Sequence, residues 1–158
     1  MHMETLEKFA AHFLQEHYHI SLSIPVERNN RLKSTHGRFV MKNNRPQKIE
    51  LAGHLLNYGA VDYIYGVLKH ECIHYALFVL GKGHMDGDPV FEAELKKYHA
   101  PMTRTLKIGN YIVFTCDHCG NRIETRRKRV AKHPEDYRTA CCGSPLTVVG
   151  EKVYNGTE

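Results

Sequence analysis

The chain has 158 residues, a formal net charge of +5, and 42% hydrophobic and 25% charged residues, a balance ordinary for a soluble globular protein of one domain or one domain with a small appendage. No apolar run approaches the roughly 20 residues that span a bilayer, so no membrane partner is expected. The first apolar stretch is broken by Glu4, Glu7, Lys8 and His12, which excludes a signal-peptide pattern and makes a cytoplasmic location the expectation.

Residues 4–17 carry Leu6, Phe9, Ala10, Phe13 and Leu14 at three- and four-residue spacing, the mark of an amphipathic helix. Leu22, Ile24 and Val26 alternate with Ser21, Ser23 and Glu27 as in a strand, and Pro25 restricts that strand to an edge or an early end. Residues 38–42 and 48–52 read as two further strands around the turn cluster Asn43-Asn44-Arg45-Pro46, so a small antiparallel meander is expected. Residues 51–58 suit a strand end running into a short helix, closed by Gly59.

From Asp62, read as an N-cap, a helical pattern runs to Leu80 with Gly81 as its stop. Outside the motif it carries, Lys69 is the only charged residue between Tyr63 and Leu80, which predicts a helix buried nearly all round. Within it, His70 and His74 lie four residues apart on one face, and Glu71 is the next residue round. Two imidazoles aimed at one ion, with a carboxylate in reach of a bound water, form the H-E-x-x-H arrangement of a zinc-dependent hydrolase. Left unpaired in a core, such groups would cost on the order of several kcal/mol, and a coordinated metal is the simplest compensation. Cys72 in the same helix is expected to be a small packing residue.

Gly81-Lys82-Gly83 turns the chain toward His84-Met85-Asp86-Gly87. Asp88-Pro89 then starts a helix with Phe91, Leu95 and Tyr98 on one stripe, ended by Ala100-Pro101. Residues 108–115 alternate as a strand leading into Cys116-Asp117-His118-Cys119-Gly120, a turn suited to present two thiolates to one ion. Residues 123–130 are expected to return as a strand bearing Arg126-Arg127-Lys128-Arg129. That run is the centre of a basic excess from Arg104 to Lys132, which permits contact with nucleic-acid phosphates.

Five cysteines, four of them in the last third, point to metal binding rather than disulfides. The second pair, Cys141-Cys142, is adjacent, with Thr139 two residues before it. Adjacent side chains on extended backbone point apart, so both reach one ion only in a bent turn. His118 or His133 could complete the four ligands instead. A structural ion held by Cys116, Cys119, Cys141 and Cys142 is the preferred expectation.

Together these residues resemble the SprT-like zinc metalloproteases, the family that includes the Spartan DNA–protein crosslink proteases. The resemblance rests on residues 68–75 (Leu-Lys-His-Glu-Cys-Ile-His-Tyr), on Gly81-Lys82-Gly83 through Asp88-Pro89-Val90-Phe91, on Asn29-Asn30-Arg31-Leu32-Lys33, and on the cysteine-bearing C-terminal third. It covers nearly the whole chain and is nearest to the short bacterial members. It implies an α+β fold: a compact zincin-type domain over residues 1–103, in which the metal helix packs with a small antiparallel sheet, then a small β zinc ribbon over residues 104–158. It also implies His70 and His74 as zinc ligands, Glu71 as the catalytic residue, and a third ligand between the glycine turn and Phe91. By distance from Phe91 that position is Asp86; by chemistry His84 is the better zinc ligand, and both stay open. The chain departs from the family at Thr139, which stands at a usual cysteine position.

The expectation is therefore a zinc metalloprotease that hydrolyses peptide bonds, with Glu71 as general base and then acid, one catalytic zinc and a second, structural zinc. Its expected substrates are proteins, with DNA held by the basic C-terminal segment, as DNA–protein crosslink repair would need. Tyr75 and His99 are candidates to stabilise the tetrahedral oxyanion. The competing expectation is a nucleic-acid-binding zinc protein whose zincin core is structural or weakly active.

Overall fold

A computed structural model describes residues 1–102 and 106–157. Leu6, Ala10, Phe13 and Leu14 bury one face of α1 (Met3–Tyr18), which packs across the long helix α3 (Val61–Val79). Phe9 of α1 meets Tyr65 of α3 with 4.6 Å between ring centroids.

The first sheet holds β1 (Val26–Asn29), β2 (Gly37–Lys42) and β3 (Arg45–Ala52) in the order β1-β3-β2. Asn43 and Asn44 join β2 to β3 with φ of 52° and 60°, the left-handed pair that a tight hairpin requires. The expected antiparallel meander is corrected here: β1 runs parallel to β3, so the sheet is mixed. The hairpin occupies one edge of β3, which leaves β1 only the other edge. The strand also begins later than expected, at Val26, because Pro25 has no N–H for a ladder; its carbonyl instead accepts the Ile49 N–H at 3.0 Å. The buried Glu50 carboxylate on β3 is met by Arg38 Nε at 2.8 Å and by Asn29 Nδ2, so its charge is paired.

β3 ends at Ala52 and passes directly into α2 (Gly53–Tyr58). α3 starts from Ala60, not from the expected Asp62, which lies inside its first turn without capping by its side chain. At the other end Gly81 turns left-handed at φ 69°. Lys82 N–H bonds the Leu77 carbonyl at 2.8 Å and Gly81 N–H bonds that of Phe78 at 3.0 Å, a Schellman termination. α4 (Pro89–Lys97) begins after Asp88, whose Oδ2 accepts the Met85 N–H at 2.9 Å. One core joins α1, the first sheet, α3 and α4 through Leu14, Ile49, Leu51, Leu68, Ile73 and Phe91, all fully buried.

The second sheet is antiparallel, with β4 (Ile108–Cys116) between β5 (Arg122–Thr125) and β6 (Leu146–Asn155). β5 stops at Thr125, short of the expected Val130; Arg129–Lys132 forms the one-turn helix α5, so the basic run sits on a turn and not on a strand. β6, ten residues long, has no counterpart among the sequence expectations. A small second core of Phe114, Val130 and Leu146 lies under this sheet. Among the described residues the architecture is α+β with two three-stranded sheets. The expected division at 103/104, and Arg104 itself, fall outside the described residues. No helix among the described residues is long and apolar enough to cross a membrane.

Candidate metal centre

His70 and His74 are both buried and project from the same face of α3, with their Nε2 atoms 3.1 Å apart. The Nδ1 atom of His70 lies 2.7 Å from the Pro101 carbonyl, and that of His74 bonds the His84 carbonyl. A carbonyl oxygen only accepts, so both Nδ1 atoms carry the proton. Burial holds both imidazoles below their ordinary pKa and therefore neutral. Two neutral rings protonated at Nδ1 turn the lone pairs of their Nε2 atoms toward each other. Lone pairs facing at this separation repel, and a cation between them removes the repulsion. The residues therefore fit a metal ion. Phe91 fixes both rings: it stacks on His74 with centroids 4.0 Å apart and meets His70 edge-on at 5.1 Å.

Glu71 is 3% exposed, beside the two histidines, and the nitrogen and carboxylate atoms of the three lie within 4.8 Å of one another. Burial pushes its carboxyl up to about 8, the negative charge of Asp86 adds to this, and the Phe39 backbone N–H opposes it. A cation on the histidines would act in the same direction as that N–H. Gly37 lies against this carboxylate's stem: a Cβ there would stand 3.0 Å from Val67 Cγ1 and 3.3 Å from Glu71 Cγ. With glycine at this position the edge strand β2 approaches the helix without crowding Val67 or Glu71; a side chain there would make tight contacts that these neighbours would have to relieve.

The two candidates for the third ligand behave differently. Asp86 Oδ1 lies 3.4 Å from His70 Nε2 and 3.3 Å from His74 Nε2. The His84 imidazole turns away, edge-on to Phe78 at 5.2 Å, with its Nδ1 3.4 Å from the Lys82 carbonyl. His84 reaches the centre through its backbone oxygen.

Tyr75 is corrected as an oxyanion candidate. It is 3% exposed, and its hydroxyl is engaged by Ser23 Oγ at 2.8 Å and the Ser21 carbonyl at 3.1 Å. His99 is exposed in the left-handed residue after α4. Cys72 is fully buried packing, as expected. The supporting roles of Gly37, Phe39 and Pro101 escaped the sequence. A glycine opening a strand is a weak sign of close approach; a carbonyl acceptor leaves no sign at all.

The four C-terminal cysteines form a second cluster, their sulfur atoms all within 4.8 Å of one another. The bent turn that adjacent ligands need is present: Gly143 N–H bonds the Thr139 carbonyl at 2.7 Å, and Gly143 turns left-handed at φ 62°. His118 and His133 stand outside this group; His133 lies instead with the exposed Glu135 and Asp136. Thr139 takes no ligand place but touches the cluster, with its Oγ1 3.2 Å from Cys116 Sγ. Because that oxygen accepts the Ser144 N–H at 3.3 Å, its own hydrogen is free for the sulfur. The Thr139 hydroxyl, then the Cys119 backbone, draws the Cys116 thiol down to about 6, while Cys142 is pushed up to about 12 by hydrogen bonding first to Cys119. Four sulfur atoms gathered this closely fit a shared cation.

The family model of the SprT-like family matches residues 4–111. The chain is 31% identical over 119 residues to Protein SprT-like of Streptococcus agalactiae serotype Ia, covering 73% of this chain and 77% of that protein. It is 31% identical over 120 residues to Protein SprT-like of Bacillus subtilis strain 168, with 72% and 75% covered. Against Protein SprT-like of Bacillus velezensis the identity is 32% over 121 residues, with 72% and 76% covered. No solved structure matches at the same stringency. Two thirds of the chain under one family model, and the helix that bears His70, Glu71 and His74 inside it, lead to one conclusion: this chain belongs to the SprT-like family.

Proposed function

We propose that this protein is a zinc-dependent peptidase of zincin type, with a zinc ribbon as its C-terminal part, that cuts proteins associated with nucleic acid. The observation that carries the peptidase reading is the pair of buried imidazole lone pairs converging beside the Glu71 carboxylate. His70, His74 and Asp86 would hold the catalytic ion; the Asp86 carboxylate adds a negative charge that suits an oxygen ligand. Zinc bound there supplies Lewis acidity and lowers the pKa of a water toward about 7.

Glu71 accepts a proton from the attacking water and returns it to the leaving amine. The Phe39 N–H opposes the burial that pushes this carboxyl up to about 8, and a cation held by the histidines would act in the same direction, toward the ionised, accepting form. The Pro101 and His84 carbonyls keep each Nδ1 protonated, which leaves Nε2 free to bind. Phe91 covers both rings and excludes water from their inner side. Cys116, Cys119, Cys141 and Cys142 would hold a second, structural zinc. The basic residues 126–128 support the association with nucleic acid.

The test is Glu71→Gln in the metal-loaded protein. Cleavage of a protein substrate should fall by about 10²- to 10⁴-fold with the metal content unchanged. Full activity in that variant ends the peptidase reading, and wild-type cleavage that ignores added DNA ends the nucleic-acid part.

A further inference from the structure

Phe39, Phe78 and His84 form a row of rings along one side of the metal centre. His70, His74 and Phe78 follow one another at spacings of four on α3, so Phe78 continues the stripe that carries the two imidazoles. Its ring lies 6.3 Å from that of Phe39 on β2 and 5.2 Å, edge-on, from that of His84. Phe39 in turn meets the buried Tyr75 ring at 5.9 Å, which anchors the row to the core. Two members of the row already serve the centre through their main chains. The Phe39 N–H bears on the Glu71 carboxylate, and the His84 carbonyl accepts from His74 Nδ1. The row therefore stands directly beside the groups that would hold the metal and move the proton.

The two sides of the centre are finished differently. Phe91, fully buried, closes over both imidazoles. Phe39, Phe78 and His84 are each only half-buried, and Met85, the next residue and the one before Asp86, is 61% exposed. The Met85 N–H is tied to Asp88 Oδ2 at 2.9 Å, so the main chain there is held while the side chain lies open. A thioether on an unbranched stem adapts to partners of different shape. Contiguous apolar surface left open beside a polar centre is the mark of a ligand surface. His84 thereby gains a use for the ring that the metal centre does not take.

A polypeptide whose scissile carbonyl lies at the metal, within reach of Glu71, brings a side chain on each side of that bond, and successive side chains of an extended chain point opposite ways. We infer that Phe39, Phe78, the His84 ring and Met85 form a side-chain subsite that takes an apolar side chain of the substrate, leucine, methionine or phenylalanine, beside the scissile bond. Rings presented edge-on or offset pack well against such groups. A charged side chain would lose its water against them without gaining a partner. The inference rests on the peptidase reading and adds to it a side-chain preference.

The test uses labelled peptides of glycine and serine that differ at one central residue: leucine, phenylalanine, glycine, aspartate or lysine. Anisotropy with the full-length, metal-loaded Glu71→Gln protein measures their binding apart from cleavage. The leucine and phenylalanine peptides should bind about tenfold more tightly than the glycine peptide, and the aspartate and lysine peptides no better than glycine. Phe78→Ala in the same background should remove most of that ratio. His84→Ala, which keeps the carbonyl under His74, should lower it about threefold. Val153→Thr, at a 60% exposed valine of the second sheet, should leave it unchanged. The ratio is read between two peptides within one variant, so a general loss of fold or metal does not imitate the effect, and the half-buried His84 guards against a folding defect in Phe78→Ala. The inference is overturned if leucine and glycine peptides bind equally, if a charged peptide binds most tightly, or if the ratio survives both Phe78→Ala and His84→Ala. Wild-type protein given the same peptides tests the peptidase reading by itself: an intact ratio without any cleavage ends that reading and upholds the subsite, whereas cleavage without a ratio does the reverse.

Discussion

His70 and His74 project from a nineteen-residue helix buried along most of its circumference, whereas the four cysteines lie on two turns at the end of a small sheet, three of them exposed. The histidine centre inherits its geometry from the main core: Phe91 on both rings, and two carbonyls on their outer nitrogens. Among the described residues, the small core beside the cysteine cluster has Phe114, Val130 and Leu146 as its buried members. Three such side chains contribute about 2 kcal/mol each, less than the roughly 10–16 kcal/mol of apparent binding energy seen when structural zinc folds a small module. One cluster is shaped by the fold; the other is expected to shape it.

The sharpest way to break this comparison is to strip the metal. A strong chelator should make amides of residues 108–155 exchange rapidly with deuterium while those of residues 64–77 stay protected; equal protection in both would refute the contrast. Next in size is Phe91→Ala. A fully buried phenylalanine removed from the core should lower stability by about 3–5 kcal/mol in denaturant unfolding, and both imidazoles should bind metal less tightly. Asp86→Ala should follow, lowering metal affinity at the histidine centre by more than about a hundredfold, since even outer partners of ligands are worth 10- to 100-fold. His84→Ala, which keeps the carbonyl under His74, should leave that affinity essentially unchanged. Metal content of the two variants side by side reads the difference.

The smallest effect concerns the second sheet. Glu124 accepts from Lys107 at 2.6 Å and from the Tyr154 hydroxyl at 2.7 Å, and these bonds, Lys107 first, hold its carboxyl below the usual range. A lowered folded pKa means stability present above the unfolded value and lost as pH falls through the folded one. Thermal unfolding followed from neutral pH down past the ordinary carboxylate range should therefore weaken more steeply in the wild type than in Glu124→Gln.

The sequence was most informative where one periodicity dominated. The spacing in α1 and the near absence of charge around the motif in α3 announced both helices, and the i, i+4 histidines followed from α3. It was least informative where partners are distant. The parallel placing of β1 depends on which edge of β3 the hairpin leaves open, which no local pattern records. β6 was hidden because only Leu146 and Tyr154 of its ten residues are buried, so its alternation is shallow. Similarly, Asp86 had a position in its favour and the less common chemistry for zinc. The His84 ring turns away while Asp86 Oδ1 comes within 3.4 Å of both Nε2 atoms, a difference that no spacing in the sequence records.

The partners of the His70 and His74 outer nitrogens are main-chain oxygens, at Pro101 and His84. No side-chain replacement deletes an oxygen of the backbone, so a systematic alanine scan would pass over both supports and report those positions as dispensable. What can disturb them is a change in chain length. One residue added or removed between Gly81 and Asp88, or between Tyr98 and Pro101, would move a carbonyl out of line with its imidazole. In this region tolerance of substitution and intolerance of insertion should coexist, and length, more than identity, is what a working variant has to preserve.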